Sequence, residues 1–213
     1  TGVRPGWHCL EVGAGGGSVA TWLAERVSPG GRVLATDIKP GWIPPAGALE
    51  VVQHDIVRDP LPEAAFDLVH ARLVLSHLPE REKVVERLVT ALRPGGWLQI
   101  DEIDISYWPI VLAPDDTARE LFEMYQSTMA LLLQRRGSDP TWGSRAAQVM
   151  SDAGLASVDP VCRYETWAAG SAGFDLLISN SIQLRDGFVS AGMDDGRLDQ
   201  VRAVMADPRF HAT

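Results

Sequence analysis

The residues most able to do chemistry cluster early. Leu10-Glu11-Val12-Gly13-Ala14-Gly15-Gly16-Gly17-Ser18 joins a short apolar run to a stretch with Val19, Leu23 and Val27 at helical spacing. Glycines at such a strand-to-helix turn let the backbone turn sharply and approach a ligand with no Cβ in the way. The helix behind them presents free N–H groups and a positive dipole end, suited to a carboxylate or phosphate. Three acids stand at strand ends: Glu11, two residues before Gly13; Asp37, 24 residues after Gly13; and Asp55. An acid in the Asp37 position accepts hydrogen bonds from a ribose diol in folds of this kind, and Asp55 could meet an adenine amino group. The loop alone leaves a tight structural turn, a dinucleotide site and another adenosyl site open. Two details weigh against the dinucleotide. The spacing is G-x-G-x-G, with Ser18 where G-x-G-x-x-G needs its third glycine, and Glu11 would repel a pyrophosphate while suiting a cationic amine.

These residues need a scaffold that presents strand ends along one edge. Strands are expected at His8–Val12, Arg32–Thr36, Leu49–Gln53, Phe66–His70 and Trp97–Asp101. The helix after the glycine loop stops at Ser28-Pro29-Gly30-Gly31. A second, with Pro79 at its start and Val84, Val85, Leu88 and Leu92 on one face, runs to Arg93-Pro94-Gly95-Gly96. Lys39–Gly47, with three prolines and two glycines, is expected to be loop. Short apolar strands alternating with amphipathic helices imply a parallel sheet covered on both faces. Beyond Glu102 the rhythm changes. Long helices are expected over Ala113–Arg136, Ser144–Ala153, Ala172–Ala191 and Arg197–Met205, and a sixth strand over Ser157–Ala168.

Composition narrows the classes. The 213 residues carry 19 Lys+Arg and 28 Asp+Glu, a net charge of −9, with 46% hydrophobic and 22% charged residues. That describes a globular protein with a self-sufficient core. The acidic balance argues against nucleic-acid or anionic-membrane partners, and no apolar run approaches the ~20 residues of a membrane span. Cys9 and Cys162 make no disulfide framework, which fits a reducing, cytoplasmic setting. The opening on Thr1 rather than Met leads us to expect a fragment of a longer protein.

The motifs match a family as a set. Leu10–Ser18, Thr36-Asp37-Ile38, Gln53-His54-Asp55-Ile56, Phe66-Asp67-Leu68-Val69-His70-Ala71-Arg72 and Leu92-Arg93-Pro94-Gly95-Gly96-Trp97-Leu98 resemble, in order and spacing, the successive motifs of class I S-adenosylmethionine-dependent methyltransferases, in the bacterial small-molecule branch. The likeness covers about Trp7–Glu102. It implies an α/β, Rossmann-like, doubly wound and mostly parallel sheet of order 3-2-1-4-5-7-6, whose seventh strand is expected to be missing here. It also implies S-adenosyl-L-methionine as cofactor, with S-adenosyl-L-homocysteine as product. Glu11, Gly13, Ala14, Gly15 and Gly17 would cradle the methionine moiety, and Asp37 would hold the ribose. His54 and Asp55 would lie at the adenine, Ile38 and Ile56 would sandwich its ring, and Ala71 and Arg72 would contact the methionine end.

Methyl transfer is an in-line displacement in which the protein aligns a nucleophile, desolvates it and, for a phenol, alcohol or carbon acid, takes its proton. Ligands of open α/β sheets bind at the carboxyl edge, so the catalytic candidates are His77, an imidazole poised near operating pH, and Glu102. Asp104 and Arg145 could orient an acceptor. Asp101-x-x-Asp104 falls short of a metal-ligand set. Phe122, Met124, Tyr125 and Met129 suit either ordinary core or a lid lining an apolar pocket. The chain is thus expected to be one domain over 1–213: a cofactor core at 1–102, a helical lid at 103–150 and a C-terminal strand with helices at 151–213. Its expected activity is O- or N-directed methyl transfer to a small-molecule acceptor in secondary metabolism, as a monomer or homodimer. An NAD(P)-dependent oxidoreductase and a non-catalytic S-adenosylmethionine-binding protein are the alternatives.

Overall fold

The computed structural model describes residues 2–41, 43–44 and 47–213. Thr1 and, within the expected loop Lys39–Gly47, Trp42, Pro45 and Ala46 lie outside the described residues. Contacts divide the chain into two compact units, 1–104 with 141–159, and 105–140 with 160–213.

The first unit is built on five parallel strands, β1 (His8–Val12), β2 (Arg32–Asp37), β3 (Leu49–Gln53), β4 (Phe66–Arg72) and β5 (Leu92–Asp101), in the order β3-β2-β1-β4-β5. This is the 3-2-1-4-5 part of the expected sheet. The reversal of strand order falls between β1 and β4, where open α/β sheets form a crevice at their carboxyl edge. Helix α1 (Ser18–Val27) lays Ala20, Leu23, Ala24 and Val27 against Cys9, Val33, Ala35 and Leu68. Cys9 is wholly buried, and burial, with the Asp67 and Glu11 charges adding, pushes its thiol up to about 12. Helix α2 (Arg81–Ala91) buries Val84, Val85, Leu88 and Ala91 in a second cluster with Leu10, Val69 and Leu98.

The helix expected to run to Arg93-Pro94-Gly95-Gly96 stops instead at Ala91, and β5 begins at Leu92. Pairing with β4 jumps from Phe66–Leu92 to Leu68–Trp97, so the Pro-Gly-Gly stretch is taken up as a register break inside the strand pair. Arg93 fastens this break: its guanidinium lies 2.7 Å from Asp67 Oδ2 and 2.9 Å from His8 Nδ1, and the His8 amide donates to Asp67 at 2.7 Å. Helix α2 also starts two residues after Pro79, with Glu80 as its N-cap.

The second unit holds a two-stranded antiparallel ladder, β6 (Ile110–Leu112) with β7 (His211–Ala212), and helices α3 (Asp116–Arg135), α5 (Ala172–Gln183), α6 (Arg185–Ser190) and α7 (Asp195–Ala206). The remaining helix, α4 (Trp142–Asp152), belongs to the first unit, where Trp142 and Ala146 join the α2 cluster. Phe122, Tyr125 and Met129 of α3 are core of the second unit, with Phe174, Phe188 and Phe210. Tyr125 stacks on Phe188 at 5.1 Å and donates its hydroxyl to the Leu177 carbonyl at 2.9 Å. The single helix expected over Ala172–Ala191 breaks at Leu184 into α5 and α6. Ser157–Ala168 is not a strand: it contributes one isolated bridge, Trp167 with Ala212.

Candidate functional site

β1 ends at Val12, and the glycine loop that follows runs directly into α1. Gly13, Gly15 and Gly17 all have positive φ, which L side chains rarely adopt. Space decides the matter differently at two of them. A Cβ on Gly13 would come within 2.3 Å of Val74 Cγ2, so the neighbouring loop itself demands glycine. On Gly15 the nearest atom is the Gly13 carbonyl at 4.0 Å, so the protein leaves the space above this residue open. It is the kind of cradle in which a ligand meets bare backbone.

Asp37, at the end of β2, closes the loop from the side. Its Oδ2 accepts from the Gly15 amide at 3.0 Å and its Oδ1 from the Lys39 amide at 2.8 Å. Ala14 donates to the Thr36 carbonyl at 3.0 Å, which ties the same loop to β2 again. Ile38 stands next to Asp37 with 60% of its surface exposed. On the adjoining end of β3, the His54 amide bonds the Asp37 carbonyl. Asp55 Oδ1 caps its own turn through the Val57 amide at 2.9 Å, and Arg58 lies 3.5 Å from Oδ2. His54 Nε2 faces the Pro60 carbonyl at 3.3 Å, and its Nδ1 is buried without a hydrogen-bond partner among the described residues. Ile56 is a core residue, 7% exposed, so it offers almost no surface to a ring and the expected sandwich reduces to Ile38.

The carboxyl ends of β4 and β5 form the other side. Ala71 is fully buried, and the Arg72 guanidinium reaches Ser18 Oγ at 3.3 Å. A one-turn 3-10 helix, Leu75–His77, follows β4. Glu102 governs it: Oε1 accepts from the consecutive amides of Val74, Leu75 and Ser76 at 3.3, 2.8 and 3.3 Å. The carboxylate therefore fixes the loop whose Val74 packs over Gly13. Its Oε2 is buried with no partner among the described residues. His77 is exposed at the end of the same turn. Asp104 accepts from the Ser144 amide at 3.1 Å, and Arg145 pairs with Glu82 at 2.8 Å.

Glu11 is not brought out to join Asp37. Its side chain is 3% exposed and points across to β4, where Oε2 lies 2.6 Å from His70 Nδ1. The other ring nitrogen of His70 lies 3.0 Å from Asp101 Oδ2. Sequence reasoning gave no role to His70 or Asp101, although an ionisable residue in the middle of an apolar strand was the available signal. Among the described residues, no group of three His, Cys, Asp or Glu side chains is placed to hold a metal ion. No described helix is long and apolar enough to cross a membrane.

Residues 10–100 match the family model described as a methyltransferase domain. Over these residues, fewer than half of the chain, the sequence is similar to methyltransferase domains. A methyltransferase of Strobilurus tenacellus is 42% identical over 97 residues, covering 45% of this chain and 35% of the relative. A ubiquinone/menaquinone biosynthesis C-methyltransferase of Ectopseudomonas mendocina is 28% identical over 127 residues, covering 55% of this chain and 50% of the relative. The chain thus spans half or less of the length of these curated relatives. Among solved structures, a Bacillus halodurans protein assigned as a methyltransferase superposes with a TM-score of 0.59 at 20% identity, covering 99% of this chain and 88% of its own. An arsenic(III) S-adenosylmethionine methyltransferase of Chlamydomonas reinhardtii gives 0.51 at 19% identity, with coverages of 84% and 60%. At these identities the structural likeness speaks for the fold.

Proposed function

We propose that the chain binds S-adenosylmethionine along the carboxyl edge of its sheet and transfers the methyl group to a small-molecule acceptor, O- or N-directed, in secondary metabolism. The observation that carries this reading is the Gly15–Asp37 contact beneath the open space over Gly15. A carboxylate offers about four acceptor sites, and Asp37 spends two on backbone amides. The others suit a ribose diol. Ile38 supplies an apolar wall for adenine beside it, with Asp55 and His54 at the ring's polar edge. Gly13, Ala14, Gly15 and Gly17 with the first turn of α1 present N–H groups to the methionine carboxylate, and Ala71 and Arg72 line the same end.

When bound, the cofactor supplies a sulfonium-activated methyl group and leaves as S-adenosylhomocysteine. The chain's own residues place the acceptor. His77, exposed on the turn after β4, takes the proton of a hydroxyl acceptor at an imidazole nitrogen. Glu102 holds that turn in place, and with its Oε1 given to three amides it serves as a clamp rather than as a base. The two free thiols fit a cytoplasmic location.

The test is direct. The 213-residue chain is incubated with methyl-labelled S-adenosylmethionine and a panel of phenols, amines and carbon acids, and S-adenosylhomocysteine release is followed. Turnover with phenols or amines supports the reading. Turnover with carbon acids alone assigns C-methylation, the chemistry named for the Ectopseudomonas relative. Cofactor binding without turnover indicates a binding protein, and binding of NAD in its place overturns the proposal.

A further inference from the structure

Charge in the middle of a parallel sheet is costly unless it is paired and hydrogen-bonded. β4 nonetheless carries His70, 5% exposed, between two carboxylates from the strands on either side. Register sets this up: Glu11 on β1 pairs with His70, and Asp101 on β5 pairs with Arg72, one side-chain repeat further along the same face. The result is a continuous row, Glu11 Oε2 to His70 Nδ1 at 2.6 Å and His70 Nε2 to Asp101 Oδ2 at 3.0 Å.

The row needs a proton that its neutral parts do not bring. A neutral imidazole has one N–H and one lone pair, and an ionised carboxylate can only accept. Two carboxylates facing both ring nitrogens at these distances require two shared protons, so the three groups carry −1 rather than −2. Burial opposes a charged His70, but the hydrogen bonds and charges of Glu11, then of Asp101, outweigh it and hold the imidazole above its ordinary 6.5. Burial also raises Glu11, against the pull of His70 and Arg72. Both shifts keep the extra proton in the row. The remaining groups that act on it are Arg72 on β4, whose charge is felt by Glu11, and Gln99 on β5, whose amide lies 3.3 Å from Asp101 Oδ2.

We propose that His70 is a positioning residue: as a doubly hydrogen-bonded imidazolium it locks Glu11, two residues before the glycine loop, to Asp101 at the end of β5, and so makes cofactor binding depend on one proton. The proposal rests on the S-adenosylmethionine reading above. When hydroxide removes that proton from Nε2, forming water, the lone pair left behind faces the Asp101 carboxylate and the β4–β5 end of the row comes apart. Because the folded state holds the proton more tightly than the unfolded chain, the contribution is complete below the ordinary histidine value and is lost as pH rises through the folded one. Cofactor binding that needs the intact row makes the bound chain hold this proton more tightly than the free one, so by the same linkage the affinity for cofactor falls on the alkaline side.

Two measurements on the full chain test this. In ¹⁵N-correlated NMR of the ligand-free protein, both ring nitrogens of His70 are expected to be protonated at neutral pH; a lone pair on either overturns the cluster. Calorimetric titration with S-adenosylmethionine between about pH 6 and 9 is expected to show affinity falling with pH in the wild type. His70→Gln, which cannot titrate, should bind roughly tenfold more weakly at neutral pH and keep only the slope that the cofactor's own α-amino group imposes on both proteins. Should that variant fail to fold, Asp101→Asn serves: its amide can donate to a neutral Nε2, so the row no longer needs the extra proton and the profile flattens. A wild-type slope in the folded variant, or affinity that rises with pH in the wild type, overturns the proposal. Absence of binding at every pH removes the cofactor reading and the coupling with it, while the ring-nitrogen signals still decide whether the proton is held.

Discussion

Asp37 meets the glycine loop with one carboxylate oxygen and its own turn with the other, so its loss leaves two backbone amides without acceptors as well as removing a ribose partner. Asp37→Ala is expected to weaken S-adenosylmethionine binding by ~1–3 kcal/mol, read by calorimetry; unchanged affinity would count against the ribose assignment. His77 should behave differently. It stands exposed at the end of its turn as the proposed proton acceptor, so His77→Ala should lower kcat for a phenolic acceptor by about 10²–10⁴. Cofactor affinity should stay the same, and an amine acceptor should lose far less. An equal loss for both acceptor types would remove the proton-acceptor role.

Elements were legible in the sequence wherever a short apolar run ended on glycine or an acid, which is how β1 and β3 could be drawn residue by residue and β2 to within one residue. What the sequence did not disclose was pairing. Glu11 and His70 are 59 residues apart and meet only because β1 and β4 are neighbours in a particular register. Glu11, taken alone, therefore looked like a ligand for a cationic amine. Ser157–Ala168 misled in the opposite sense, since strand-like residues form a strand only with an edge to pair with. The Pro-Gly-Gly stretch read as a helix stop, yet Arg93 and Asp67 incorporate it into β5. Burial pushes the Asp67 carboxyl up, but the His8 amide and Arg93 outweigh it and leave it below the ordinary value. Asp67→Asn is accordingly expected to destabilise the chain by about 1–2 kcal/mol at neutral pH in denaturant titrations. The difference should vanish as pH falls through the lowered carboxyl value, where the wild type loses the same pairing.

At the scale of the whole molecule, a ligand that binds the folded chain and not the unfolded one must raise its melting point. S-adenosylmethionine at about 100 times Kd adds about 2.7 kcal/mol, or roughly 5–10 °C for a chain of this size. NAD at the same excess should leave the midpoint unmoved, and the reverse pattern would favour an oxidoreductase. The −9 net charge acquires local meaning here: Glu11 and Asp101 are two of its contributors, and the row they form with His70 carries one negative charge less than its residue types suggest. The buried Cys9 has a use of another kind. With its thiol sealed beneath α1 and Cys162 exposed in the second unit, a disulfide-exchange reagent should count one thiol in the native chain and two in denaturant. A dye or spin label coupled under native conditions would then sit at a single known address, and the slow appearance of the second equivalent would clock the opening of the sheet itself.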